Sequence, residues 1–554
     1  MKEMAWLWTT LAVFAALSLI HGLVRRMKGK KLPPGPRGLP ILGHLHLLGK
    51  NPHQDLSKLA KQYGPIMYLR FGFVDNIIAS SPQAAQLFLK THDLVFASRL
   101  PHEAAKHLSY DQKNLSFSQY GPYWRNMRKL CTLELLSNLK INSFQATRRE
   151  ELCNLIESLK QAAFDRVAVD LSAKVFDLVA DMSCRMVFGK KYEIKGIDER
   201  GFKAAINEAM QLVAKPNLGD YFPYLGKFDF QGLNRRMKAI AQDFDLFLER
   251  ILDEHEQSGS SGQMTKDFVD IMLSIMKSGE TEFQINREHV KYTLLDMIAG
   301  SIDTSATAIE WIMSELLKHP QIMKKVQQEL ENKVGLNQMV EESDLEGLNY
   351  LEMVMKESFR IHPVGPLLLP HEAREDCMVE GFHIPKKARV IVNIWAIGHD
   401  PNVWANPEKF FPERFEGNNI DYRGHNFEFI PFGSGRRSCP GLQLAITLVR
   451  LVVAQLVHYF DWKLPNGMSS EELDMTEEFA FKLINDGRLQ HNNGPKATRD
   501  QQSPDQPVDA AASVERDKEI SLSDDTKPLD NEDYEIVPNP SVPPGNLEEA
   551  AVIV

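Results

Sequence analysis

Residues 432–441 read FGSGRRSCPG and lead directly into an apolar run, PGLQLAITLVRLVVAQLVHYF, at 440–460. A helix of that composition is apolar almost all round, so it belongs inside a large domain and not on a surface. Pro440 suits the first turn of such a helix, where a missing N–H costs little. Cys439 then sits at or just before the helix N-terminus, where free amides and the positive dipole end favour a thiolate. Gly433, Gly435 and Gly441 permit tight turns and close approach of backbone to a flat ligand. Arg437 can face an anion, and Phe432 can shield the sulfur.

The other cysteines, Cys131, Cys153, Cys184 and Cys377, are scattered, and no C-x-x-C spacing occurs. This pattern argues against a disulfide framework, a zinc site and a c-type haem attachment, and for reducing surroundings. A chain of 554 residues, 43% hydrophobic and 25% charged, has the composition of a globular protein. Its net charge of −10 is local: from His491 onward there are 14 Asp plus Glu against 5 Lys plus Arg. The body is therefore close to neutral, with no acidic or basic excess that would call for a nucleic-acid partner.

Residues 4–24, MAWLWTTLAVFAALSLIHGLV, hold no formally charged side chain. As a helix they would span about 31 Å, enough to cross a bilayer. The basic cluster RRMKGKK follows at 25–31, which places the rest of the chain on the cytoplasmic side of a single-pass anchor. PPGPRGLP at 33–40 makes a stiff hinge, so 25–40 is read as basic stop and proline-rich hinge. Residues 41–490 form the body, with apolar residues at helical spacing in DLSKLAKQY, NLIESLKQAAF and MKAIAQDFDLFLERILDEH. Strand-like pieces, PIMYLRFG, NIIAS and ARVIVN, predict small sheets in a mainly α domain. No G-x-G-x-x-G follows a strand, so no nicotinamide or flavin domain is built in. Residues 491–554 carry one aromatic residue and eight prolines, a composition that predicts a disordered acidic tail.

The spacing F-x-x-G-x-R-x-C-x-G, Phe432 to Gly441, resembles the haem-binding loop of the cytochrome P-450 family. The resemblance implies the family's fold behind one transmembrane helix, with Cys439 as the axial thiolate ligand of the iron of haem b. It also assigns cofactor contacts to Arg437, Phe432 and Gly435. In KESFR, Glu357 and Arg360 share one helix face, and FFPERF resembles the segment whose arginine, here Arg414, completes a buried structural triad. IAGSIDTSATAIEW resembles the family's distal helix, in which an acid and an alcohol, here Asp303 and Thr304, deliver protons during dioxygen activation. Ser301 stands where the family usually has glycine, which implies a narrower or differently hydrated groove. Trp124 and Arg128 match the W-x-x-x-R helix over the haem propionates, and His371 takes the place of a propionate-binding arginine.

These motifs occur in family order over roughly residues 30–479, in the style of a plant microsomal A-type member. The implied reaction inserts one atom of O2 into a small to medium apolar metabolite. Electrons come from NADPH through a separate NADPH-cytochrome P-450 reductase, with cytochrome b5 as a further donor. The implied location is the endoplasmic reticulum membrane, with the catalytic domain facing the cytoplasm. Pocket walls are assigned to 102–121, 216–226, the distal helix and 363–370, and Arg125 and Lys129 suit an acidic donor. After Phe479 the chain departs from the family's terminal hairpin. Two other readings share the motifs: a reductase-independent isomerase or dehydratase, and a haem-binding membrane protein impaired by the altered end.

Overall fold

Helices begin and end where the chain supplies caps. A computed structural model describes residues 31–191, 201–258, 265–279, 281, 283–335, 338–464, 468–477 and 551–553. Eight helices organise the site: α1 Pro52–Tyr63, α2 Pro122–Leu130, α3 Leu171–Phe188, α4 Gly201–Ala214, α5 Arg287–Lys318, α6 Asn349–Ile361, α7 Ile394–Gly398 and α8 Leu442–Tyr459. Asp170 caps α3 by accepting from the Ala173 amide, and Gly189 stops it at φ 76°. Asn286 and His289 form a capping box at the start of α5, and Pro320 follows its end. Proline occupies the first turn of α1 and of α2.

The long helix α5 is the centre of the body. From Ile302 to Leu317 nearly every side chain is buried, because α3, α6 and α8 pack around it. Helix α8 is long and apolar enough to cross a membrane by composition, yet its Leu448–Val457 stretch is packed into the same core. The expectation of a buried helix behind Cys439 therefore holds. Pro440, expected in its first turn, lies outside: Gly441 is the N-cap and the helix starts at Leu442.

The predicted strand pieces fall in one sheet. β1 Ile66–Phe71 pairs antiparallel with β2 Val74–Ala79, from Ile66 opposite Ala79 to Phe71 opposite Val74. Two-residue β3, His371–Glu372, sits at the other edge, and β4 Cys377–Val379 pairs with β5 Phe382–Ile384 in a separate hairpin. β6, Arg389–Val392, lies between β2 and β3, parallel to the first with Asn76 opposite Arg389, and antiparallel to the second. β7 Asp461–Lys463 pairs in parallel with β8 Ala551–Ile553. Residues 551–553, AVI, are thus a strand inside the segment expected to be disordered; their β-branched content favours it. The expected anchor at 4–24, the departure after Phe479 and the rest of the tail lie outside the described residues.

A buried chain of histidines and glutamates ties α1, α5 and α6 together. Glu315 bonds His362 at 2.7 Å and lies 3.2 Å from His319 as an ion pair, and Glu477 bonds His53 at 2.9 Å. His362 also stacks on Trp311, with ring centroids 3.9 Å apart and planes within 4°.

Candidate active site around Cys439

The Cys439 loop is held by its own backbone and by sheet-side contacts. The Cys439 amide donates to the Phe432 carbonyl at 2.9 Å, and Ser438 N to Gly435 O at 3.1 Å, which closes the turn. Gly433 has φ 70° and Gly435 φ 73°, so both need the left-handed region. A Cβ on Gly435 would also sit 2.2 Å from the Leu89 carbonyl oxygen. That glycine is therefore required for packing against Leu89.

Cys439 carries accessible surface although protein surrounds it, because the sulfur opens onto an interior cavity of about 430 Å³. Burial pushes its thiol up, and the Gly441 backbone hydrogen bond and the Arg128 charge only partly oppose this. Cys439 lies two residues ahead of the N-cap, and the low-dielectric surroundings penalise a free anion there. Phe432 lines the same cavity and packs edge-on to Phe359, with centroids 5.8 Å apart.

At one end of the cavity three arginines converge. Arg437 lies over the Trp124 ring, 4.0 Å from its centroid, and donates to the carbonyls of Ala97 at 2.7 Å and Ser118 at 2.5 Å. Arg99, which no sequence motif marks, donates to the carbonyls of Leu369 at 2.6 Å and Pro370 at 3.0 Å. Arg128 projects from α2. Burial, and then repulsion from Arg99 and Arg128, pushes Arg437 down to about 8; burial alone pushes Arg99 down to about 9 and also lowers Arg128. Among the described residues no carboxylate pairs with any of the three. A buried cluster of cations held only by neutral carbonyls fits an anionic ligand.

Trp124 is expected over the same anion, but its indole N–H donates to the Leu115 carbonyl at 2.9 Å, so its contribution is the face under Arg437. His371 is buried on β3, with Nδ1 at 2.7 Å from the Phe96 carbonyl. A carbonyl only accepts, so the proton is on Nδ1 and Nε2 has none to give an anion. Burial and the nearby Arg99 and Arg437 hold the ring well below its usual pKa, which disfavours a second proton. The cation beside the neutral ring is Arg99.

Along α5, Ala299, Gly300, Ser301 and Thr304 line the cavity. The Thr304 hydroxyl donates to the Gly300 carbonyl at 2.7 Å, one turn back. Asp303, expected beside it, is buried but turned out of the cavity wall. Ser301 bonds the Ser183 hydroxyl on α3 at 2.8 Å, so its side chain fastens α5 to α3. A Cβ at Gly300 would meet nothing within 4 Å, so the space beside Thr304 stays open despite the serine.

Behind the loop the expected triad is assembled. Arg360 makes a two-pronged bond to Glu357 at 2.8 and 2.9 Å, and Arg414 adds a third at 2.8 Å. The Phe411 amide also donates to Glu357 at 2.8 Å, and Arg414 reaches the carbonyls of Ala405 and Lys409. Glu357 and Arg360 are 0% and 2% exposed, so the pair is a buried one.

The assigned pocket walls hold at 102–121 and 363–370, but 216–226 lines a second cavity of about 120 Å³. The two share Arg99, Phe117, Val213, Gly365, Leu368 and Leu369. In the main cavity α4 takes the wall instead, through Ile206, Ala209, Met210 and Val213.

Across the chain, the family model described as Cytochrome P450 matches residues 33–487. The chain belongs to the cytochrome P450 family. This P450 is 51% identical over 484 residues to cytochrome P450 CYP736A12 of Panax ginseng, covering 86% of this chain and 93% of that protein. It is 42% identical to cytochrome P450 71A1 of Persea americana, covering 78% and 88%. Phenylacetaldehyde oxime monooxygenase CYP71AN24 of Prunus mume is 41% identical, with 85% and 91% covered. A zebra fish cytochrome P450 structure with abiraterone superposes with a TM-score of 0.67 at 28% identity, over 79% of this chain and 97% of that one. The P450 is thus a plant A-type monooxygenase, and membership implies haem. The residues present fit that group: a sulfur facing the cavity, an uncompensated cation cluster for its carboxylates, and apolar walls between.

Proposed function

We propose that this P450 inserts one oxygen atom from O2 into a small to medium apolar metabolite held in the main cavity. The observation that carries the reading is that Cys439, the arginine cluster and Thr304 all line one mostly apolar cavity. Haem bound there supplies the oxidation chemistry. Cys439 would ligate its iron, and Arg99, Arg128 and Arg437 would hold its propionates. Thr304 would move a proton at Oγ1, and Phe432 would keep water from the sulfur. Asp303 would act through Thr304 from behind the wall. The Glu357–Arg360–Arg414 triad would keep the loop in register.

Electrons would come from NADPH through a separate reductase docking near exposed Arg125. A membrane-bound location in the endoplasmic reticulum is supported by an apolar patch. Leu42, Phe73, Leu225, Phe228 and Phe230 are each more than 40% exposed. The backbone links them, Gly72 N to Leu42 O at 3.1 Å and Phe73 N to Tyr221 O at 2.9 Å. Exposed apolar surface of this kind marks contact with a membrane or protein. The test is the absorption spectrum of the reduced, carbon monoxide-bound protein, expected to show the red-shifted thiolate band. Its absence would refute ligation by Cys439. Product formation dependent on NADPH and reductase would separate monooxygenation from rearrangement or mere haem binding.

A further inference from the structure

Asp296 stands on α5 four residues before Gly300 and eight before Thr304, on the helix face that lines the cavity. Its Oδ1 accepts from Asn114 Nδ2 at 2.7 Å and from the Ser116 hydroxyl at 3.1 Å. Its Oδ2 accepts from the Leu115 amide at 2.5 Å, and the Ser116 amide also points at the carboxylate. With about two lone pairs per oxygen, the carboxylate is used up by this loop and has nothing left for a ligand.

The other side of the same loop serves the cation cluster. The Leu115 carbonyl accepts from Trp124 Nε1 at 2.9 Å and Arg437 Nη1 at 3.4 Å. The Ser116 carbonyl accepts from Arg99 Nε at 3.3 Å, and the Ser118 carbonyl from Arg437 Nη2 at 2.5 Å. We propose that Asp296 is a positioning residue that latches loop 114–118 onto α5, and so fixes both a wall of the cavity and the seats of Arg99 and Arg437. Burial pushes its carboxyl up to about 6 even against its donors. An ionised group there costs stability, and what it supplies is a set of charge-assisted bonds that a neutral side chain would not match.

The inference rests on the haem-thiolate reading, so its test includes a measurement independent of haem. In Asp296→Asn one acceptor oxygen becomes an NH2 that opposes the loop's donors, while Ser116→Ala removes one bond from the loop side. Hydrogen–deuterium exchange of residues 113–119 is expected to quicken about tenfold in Asp296→Asn and less in Ser116→Ala, as for bonds to a charged group. In the haem-loaded protein, 4-phenylimidazole should bind about tenfold more weakly to Asp296→Asn while imidazole, too small to touch the wall, is unchanged. Unchanged exchange and an unchanged ratio of the two affinities in both variants would overturn the latch. If Asp296→Asn does not fold, Ser116→Ala decides by the same criteria. A wild type without the thiolate band sinks the haem reading alone, since exchange still judges the latch.

Discussion

Thr304 donates to the Gly300 carbonyl at rest, so its oxygen is left as an acceptor and must turn to hand over a proton. Thr304→Ala is expected to cut coupling of NADPH use to product roughly tenfold or more, with Thr304→Ser close to wild type. Comparing NADPH consumed with product formed in a reductase-reconstituted assay checks this. On the proposed reading Arg437→Ala would remove a charged anchor of the haem carboxylates, worth about 1.5–3 kcal/mol. The expected result is faster haem transfer to apomyoglobin. At this scale legibility followed chemistry that repeats along the chain: Cys439, Arg437 and Thr304 sit in spaced motifs. Arg99 and Asp296 sit in none, because their importance comes from carbonyls and amides that only folding brings to them.

The triad joins α6 to the segment after α7 through one fully buried carboxylate. Glu357→Ala would leave two arginines without it and should cost about 3–5 kcal/mol, read as a shift in the urea midpoint. Gly398 closes the same corner: a Cβ there would lie 2.3 Å from the Arg360 carbonyl oxygen. Gly398→Ala should therefore destabilise by about 1–3 kcal/mol, the cost of overpacking. A variant as stable as wild type would mean that α7 can move aside. The helices and the three main strands were legible because periodicity marks which face is buried. Strand partners were not, since alternation says nothing of which distant strand pairs with which, and β2 finds β6 across most of the chain. For the same reason α4 was missed as a pocket wall: its amphipathic pattern is that of any core helix.

For the molecule as a whole, the histidine and glutamate chain sets a pH window. Burial pushes Glu315 up, but His319 and His362 outweigh it and leave it at about 2. Burial pushes His362 down, but Glu315 and Glu477 outweigh it and raise the ring. The depressed carboxyl adds stability above its ordinary 4.5, lost toward pH 2. The raised imidazole adds stability below its ordinary 6.5, lost as pH climbs through its folded value. The Tm gap between wild type and Glu315→Gln should be widest between about pH 4.5 and 6.5 and shrink toward pH 9. A gap of constant width would exclude the ion pair as its source. The bonds of Arg437 also have a consequence in time. They reach Ala97 across 340 residues and Ser118 across 319. At about 5–20 residues per second, a ribosome delivers Arg437 roughly 20–90 s after the first residue. The carbonyls that will seat it are made roughly 16–68 s before it, so on the proposed reading the seat for the haem carboxylates is completed only in a nearly finished polypeptide.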